Sequence, residues 1–246
     1  VTAPVFVVEH IDAGGGGRYV LDGPEGRHAV SVKRLRAGED VVLTDGAGRW
    51  ADCVVLDTEG KDRLVLRLES VHEEPAEQPR VTVVQALPKG DRGELAVETM
   101  TEVGVDAIVP WAAARCITQW KGDRGAKALG KWRATAREAG KQSRRVRFPE
   151  VAEAATTKQV AALLAGAEFA AVLHESGDTP LATAELPATG EIVLVVGPEG
   201  GVAPEELALF EEAGAKAYRL GRSVLRTSTA GTAAAAVLLA RTGRWS

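Results

Sequence analysis

The sequence predicts a mixed α/β protein in two parts, a small β-barrel followed by a larger α/β domain. Three observations carry this. Up to about residue 72 the chain offers short runs rich in β-branched residues, broken by turn signals, with one short helical stretch. The segment Glu73-Glu-Pro-Ala-Glu-Gln-Pro79 is acidic, holds two prolines and lacks any apolar period, so it reads as a linker. Beyond it, apolar strands alternate with helical periods, the grammar of a parallel sheet with crossover helices. The expected domains are 1–74 and 80–246, with 73–79 between them.

In order, Val5-Phe-Val-Val and Tyr19-Val-Leu are strand candidates separated by the glycines from Gly14. In Gly26–Arg36 the spacing of Ala29, Val32 and Leu35 by three predicts a short helix with those residues inward and Lys33, Arg34 and Arg36 outward. Strands follow at 41–44, 50–56 and 63–68, joined by turns at Asp45-Gly46 and Glu59-Gly60. In the second part the expected strands are 81–87, 107–111, 170–174, 192–196 and 217–220. Helices are expected over 94–103, 126–142, around 160–165 and over 204–213, the last with proline in its first turn. A final helix should run from near Thr229 to about Arg241, its start marked by hydroxyl residues suited to capping.

The net charge of −4 conceals an asymmetry. Between Arg115 and Arg147 eleven Lys or Arg face two acids, Asp123 and Glu138, a balance of +9 that leaves −13 for the rest. Such a basic run suits a polyanion, and its bland alternative is a solvated helix face. Cys53 and Cys116 stand alone and His10, His28, His72 and His174 are scattered, which argues against a metal site or a disulfide framework. No metal is expected. The chain has no run of eighteen apolar residues and no basic-then-apolar start, so a cytoplasmic location is expected, with no membrane partner.

Chemistry points to two bends. Val195-Val-Gly-Pro-Glu-Gly-Gly-Val and Leu220-Gly-Arg-Ser-Val-Leu-Arg-Thr-Ser-Thr-Ala each follow an apolar strand, and the second runs into an Ala-rich helix. In an open α/β sheet, ligands sit beyond the carboxyl ends of the strands, so the segments after Leu173, Val196 and Leu220 are expected to line one crevice. Glycines there let a nucleoside approach backbone groups closely. Neither GxxxxGK[ST] nor GxGxxG in a strand-to-helix turn occurs, so a phosphate-gripping NTPase or a common dinucleotide site is not expected.

Several ordered stretches together resemble the bacterial 16S ribosomal RNA uridine-N3 methyltransferases of the SPOUT superfamily. They are Lys89-Gly-Asp-Arg-Gly-Glu-Leu-Ala-Val-Glu-Thr-Met-Thr-Glu-Val-Gly, Trp111-Ala-Ala-Ala-Arg-Cys, Arg137-Glu-Ala-Gly-Lys-Gln-Ser-Arg-Arg, Gly197-Pro-Glu-Gly-Gly and Leu220-Gly-Arg-Ser-Val-Leu-Arg-Thr-Ser-Thr-Ala. His28-Ala-Val-Ser-Val-Lys-Arg-Leu-Arg and Leu43-Thr-Asp-Gly-Ala-Gly extend the likeness to the N-terminal part. The resemblance implies an N-terminal PUA-like small β-barrel that binds RNA, and a C-terminal SPOUT α/β domain with a deep trefoil knot. It further implies a homodimer that uses S-adenosylmethionine to methylate N3 of a uridine in 16S rRNA of the small ribosomal subunit. Two alternatives are a related methyltransferase with another target, such as a transfer RNA ribose, and a non-catalytic RNA-binding protein of this fold.

Carried over by position, the resemblance assigns cofactor contacts to Leu173, His174, Gly197, Glu199, Gly200, Gly201, Leu220, Gly221, Val224, Leu225 and Thr229. His174 reads as a pocket wall rather than a base. Arg226 is the first choice to stabilise charge on the uridine oxygens, with Arg115 and Arg144 next, and Glu138 and Glu199 are candidate proton acceptors. The competing reading of Glu138 is a helix ion-pair partner. RNA contacts are expected from Lys33, Arg34 and Arg36 in the barrel and from Lys89, Arg92, Lys141, Arg144 and Arg145. Trp111, Trp120 and Trp132 could stack on bases, but core packing is expected for at least two of them.

Overall fold

The computed structural model describes residues 3–11 and 16–246, so Gly14 and Gly15 of the glycine run lie outside the described residues. The chain divides into one unit of residues 1–76 with 140–148 and a second of 77–139 with 149–246.

The first unit is built on a five-stranded sheet in the order β1 (Val5–Val7), β3 (Asp40–Thr44), β4 (Arg49–Glu59), β5 (Arg63–Glu73), β2 (Arg18–Leu21). Period two decides its faces: along β4, Ala51, Cys53 and Val55 are buried while Trp50, Asp52 and Val54 point the other way. With Phe6, Leu21, Leu43, Leu64 and Leu66 they close the core of this unit. Burial pushes the Cys53 thiol up to about 12. Native chain treated with iodoacetamide at neutral pH should therefore stay unlabelled at Cys53 by peptide mass mapping.

The basic helix differs from the expected one. A short helix α1 (Gly23–Arg27) runs into a π-helical turn, His28–Val32, closed by Lys33 N–H donating to the His28 carbonyl at 2.9 Å. This wider winding breaks the three-residue spacing. Ala29 is buried, yet Val32 is 67% exposed. Lys33, Arg34 and Arg36 face solvent as expected, and Arg34 ends the turn at φ 57.

Residues 140–148, assigned by sequence to the second domain, group instead with the first unit. The Phe148 N–H donates to the Gly46 carbonyl at 2.8 Å, and Thr44 Oγ1 donates to the Val146 carbonyl at 2.8 Å. Lys141 Nζ lies 2.9 Å from Glu25 Oε1, with both side chains largely shielded from solvent. Partners a hundred residues apart are invisible to local patterning.

In the second unit seven parallel strands form one sheet, in the order β10 (Thr179–Pro180), β12 (Lys216–Arg219), β9 (Phe169–Leu173), β11 (Glu191–Val196), β6 (Arg80–Ala86), β7 (Ala107–Trp111), β8 (Glu150–Val151). In the central strand β11, Ile192 to Val196 are all buried, as a strand covered on both faces requires. The cover comes from α2 (Arg92–Val103), α3 (Gly122–Gln142), α4 (Thr157–Ala165), α5 (Pro204–Glu212) and α6 (Thr227–Arg241). Packing of α6 on β6, β11 and α2 is close, because a Cβ at Gly231 would stand 2.9 Å from Met100 Sδ. Trp111 and Trp132 are core residues, and Trp120 packs edge to face on Trp132 at 5.0 Å. Stacking on bases is not open to the two buried rings.

The last helix starts two residues before the expected Thr229. Arg226, at φ −64 and ψ 149, is its N-cap, and the Arg226 carbonyl accepts from Thr229 and Ala230 N–H at 2.9 Å. Thr227 and Ser228 thus sit buried in the first turn rather than capping it.

Candidate functional site

Every strand of a parallel sheet ends at the same edge, so the loops after β9, β11 and β12 are neighbours by construction. In the second unit they enclose a cleft of about 770 Å³. Its lining includes Leu173 at the end of β9 with His174 and Glu175 after it, Gly197–Val202 after β11, and an unbroken run from Arg219 at the end of β12 to Thr227. Lys89, from the connection between β6 and α2, Arg92, the first residue of α2, and Arg115, from the connection between β7 and α3, complete the rim.

The glycine-rich loop is held from two sides. Arg115 Nη1 donates to the Gly200 carbonyl at 3.1 Å, and Glu199 Oε1 accepts from the Lys89 N–H at 3.2 Å. Within the loop, Gly201 N–H donates to the Pro198 carbonyl at 2.9 Å, and Gly201 itself takes φ 74, a conformation that a side chain would strain. His174 is fixed by its N–H to the Tyr218 carbonyl at 2.9 Å. Its Nδ1 faces Ser176, with the hydroxyl at 2.6 Å and the N–H at 3.2 Å.

Two buried polar side chains support this cleft from behind, and local sequence patterning did not single them out. Glu206 in α5 accepts at Oε1 from the Ala114 N–H at 2.8 Å and the Thr157 hydroxyl at 2.9 Å, and at Oε2 from the Ala203 N–H at 3.2 Å. It ties the residue next to Arg115 to the end of the glycine-rich loop. The sequence signal for it was its place at the third position of a helix, where an acidic side chain reaches back to the cap. Gln85, fully buried at the end of β6, donates from Nε2 to the Ala86 carbonyl at 3.1 Å and the Thr227 carbonyl at 3.3 Å. Two carbonyl acceptors fix its amide orientation and anchor the first turn of α6 beside Arg226.

Most residues expected at the cofactor pocket line the cleft: Leu173, His174, Gly197, Glu199, Gly200, Gly201, Leu220, Gly221, Val224 and Leu225. Thr229 does not; it lies past the cap on an exposed face of α6, and Thr227 and Ala230 line the cleft instead. Arg226 and Arg115 line the cleft, whereas Glu138 does not. The inward stripe of α3 carries Leu129, Trp132, Ala136 and Ala139, and Glu138 falls about 100° off that stripe, exposed. Of the expected RNA contacts, Arg144 is exposed, at φ 61, and Arg145 is half-buried. The Lys141 charge is matched by Glu25, so Lys141 is no open cation.

The comparisons with known proteins converge. A model of the RNA methyltransferase domain matches residues 75–239, and a model of the RNA methyltransferase PUA domain matches 21–69. Ribosomal RNA small subunit methyltransferase E of Mycobacterium tuberculosis is 46% identical over 230 residues, which covers 92% of this chain and 87% of the relative. The chain belongs to the ribosomal RNA small subunit methyltransferase E family. The family member of Bacillus subtilis is 29% identical over 220 residues, covering 86% of each protein. The crystal structure of the Neisseria gonorrhoeae family member bound to S-adenosyl methionine superposes with a TM-score of 0.85 at 28% identity, covering 98% of both chains. The expected architecture of a PUA-like unit plus a parallel α/β unit agrees with that likeness. Among the described residues of this methyltransferase no cluster could hold a metal ion, and no helix is long and apolar enough to cross a membrane.

Proposed function

We propose that the chain methylates N3 of a uridine in 16S rRNA of the small ribosomal subunit, using S-adenosylmethionine, as a cytoplasmic homodimer. One observation carries the reading: three strand-end loops and Arg226 share a single cleft in a chain of this family. The cleft suits the cofactor. Leu173, Leu220, Val224 and Leu225 offer apolar contact, and Gly197, Gly200, Gly201 and Gly221 let a nucleoside reach backbone groups. The cleft volume lies in the upper half of the range of about 300–1,000 Å³ typical of ligand pockets. When bound, the cofactor supplies a methyl carbon already made electrophilic by its sulfonium, so no metal is required.

The chain's own groups then have two tasks. The target base must be unpaired or turned out, because N3 lies on its pairing edge. Loss of the N3 proton puts charge on the uridine oxygens, and the Arg226 guanidinium stabilises it. Glu199, at the cleft wall, takes the proton in this reading; Glu138, exposed on α3, has no part in it. Arg115 acts chiefly by holding the Gly200 carbonyl. RNA around the target is held by Lys33, Arg34, Arg36, Arg144 and Arg145.

The trefoil knot belongs to the same reading. The chain reaches β12 on one side of β9 and then returns to pack α6 on β6 and β11, a recrossing that a knotted C-terminal segment needs. The test combines cofactor calorimetry with nucleoside mass spectrometry of rRNA and tRNA treated with protein and S-adenosylmethionine. Cofactor binding and 3-methyluridine in small-subunit rRNA are expected. A methylated tRNA ribose would replace the assigned target, and no binding at millimolar cofactor would remove the enzymatic reading.

A further inference from the structure

The cleft rim carries more positive charge than its cofactor can use. Lys89, Arg92, Arg115, Arg219, Arg222 and Arg226 line it, against Glu175 and Glu199. Arg115 is engaged with a carbonyl, but the side chains of the other five cations have no hydrogen-bond or ion-pair partner among the described residues. That is unusual in a chain with 34 acidic residues and a net charge of −4. Leaving cations unmatched around a concave site raises the local positive potential and costs self-repulsion, which an anionic ligand relieves.

The cofactor is not that ligand. Its sulfonium and ammonium outweigh its single carboxylate, so open cations repel it on balance. A phosphodiester backbone fits them, since each phosphate is a separate anion able to take an arginine fork.

The cations also fall into separate groups. Arg219 ends β12 and Arg222 lies in the loop after it, whereas Lys89 and Arg92 follow β6. Two strands, β9 and β11, lie between, so three strand spacings of about 4.8 Å set the groups roughly 14 Å apart along the sheet edge. Between them stands the glycine-rich loop that follows β11. We propose that Arg219 and Arg222 form a second phosphate-binding site, paired across the cleft with Lys89 and Arg92. The RNA strand then crosses the mouth with backbone phosphates held on both sides of the nucleotide that enters. This rests on the RNA methyltransferase reading and adds residues and a strand path to it.

The test measures binding of a fluorescein-labelled single-stranded RNA carrying the target uridine, over about 50–200 mM salt, alongside cofactor calorimetry. Arg219→Ala with Arg222→Ala should lower the salt slope by about 2 and leave cofactor affinity within about twofold. Arg219→Lys with Arg222→Lys should restore the slope, because point charges suffice for counterion release. Both positions are exposed, so the fold should be retained, as melting would verify. An unchanged slope overturns the proposal. So does an unchanged slope with weakened cofactor binding, which would assign the pair to the cofactor carboxylate. Absence of cofactor binding by the unaltered protein would instead sink the methyltransferase reading, a separate result.

Discussion

Arg226→Ala is expected to lower turnover by about 100- to 1,000-fold, the usual loss when one preorganised donor to a developing charge is removed. Cofactor affinity and melting temperature should hardly move. The structure explains why the two effects separate. The Arg226 backbone caps α6 through its carbonyl, its side chain makes no cap bond, and its φ and ψ are open to any residue. Alanine therefore keeps the helix start, and Gln85 still holds the Thr227 carbonyl. What is lost is a guanidinium at the cleft wall. Single-turnover methylation measured beside cofactor titration checks this. A collapse of cofactor binding with the fold intact would show that Arg226 serves the donor rather than the acceptor base.

The fold was legible where one physical cause acts locally. Ile192 to Val196 reads as a doubly covered strand because every side chain is apolar, and the order of the five longer strands and the five helices after residue 79 follows from period, whereas the two-residue strands β8 and β10 are too short to show one. The cleft followed too, since the carboxyl ends of parallel strands must share an edge. Legibility failed where a distant partner decides. Residues 140–148 join the first unit through Gly46, Val146 and Glu25 contacts, and the winding at His28–Val32 overrides a spacing that looked helical. The exposed face of Glu138 was readable from Leu129, Trp132 and Ala136, which mark the inward stripe of α3. Arg219 and Arg222 were hidden for another reason. Nothing local distinguishes an unmatched cation from a matched one.

Glu206→Ala should have the largest effect on stability. Its carboxylate satisfies three donors from three segments, the Ala114 and Ala203 N–H groups and the Thr157 hydroxyl. Each buried donor left unmatched costs roughly 1–3 kcal/mol, so a loss of about 3 kcal/mol or more is expected. For a chain of this size that lowers the melting temperature by about 6–12 °C. Function should fall with it, through a defined route. Ala114 adjoins Arg115, which holds the Gly200 carbonyl, and Ala203 ends the loop that contains Gly200. Freed of Glu206, both sides of that clamp can shift, so cofactor affinity should weaken even at temperatures where the chain remains folded. Glu206→Gln tests the carboxylate itself. Its amide keeps one acceptor oxygen but turns an NH₂ toward a donor, so it should fall between wild type and alanine in both melting and cofactor calorimetry. If Glu206→Ala instead melts within about 1 °C of the unaltered chain, the three bonds are not what holds these loops together.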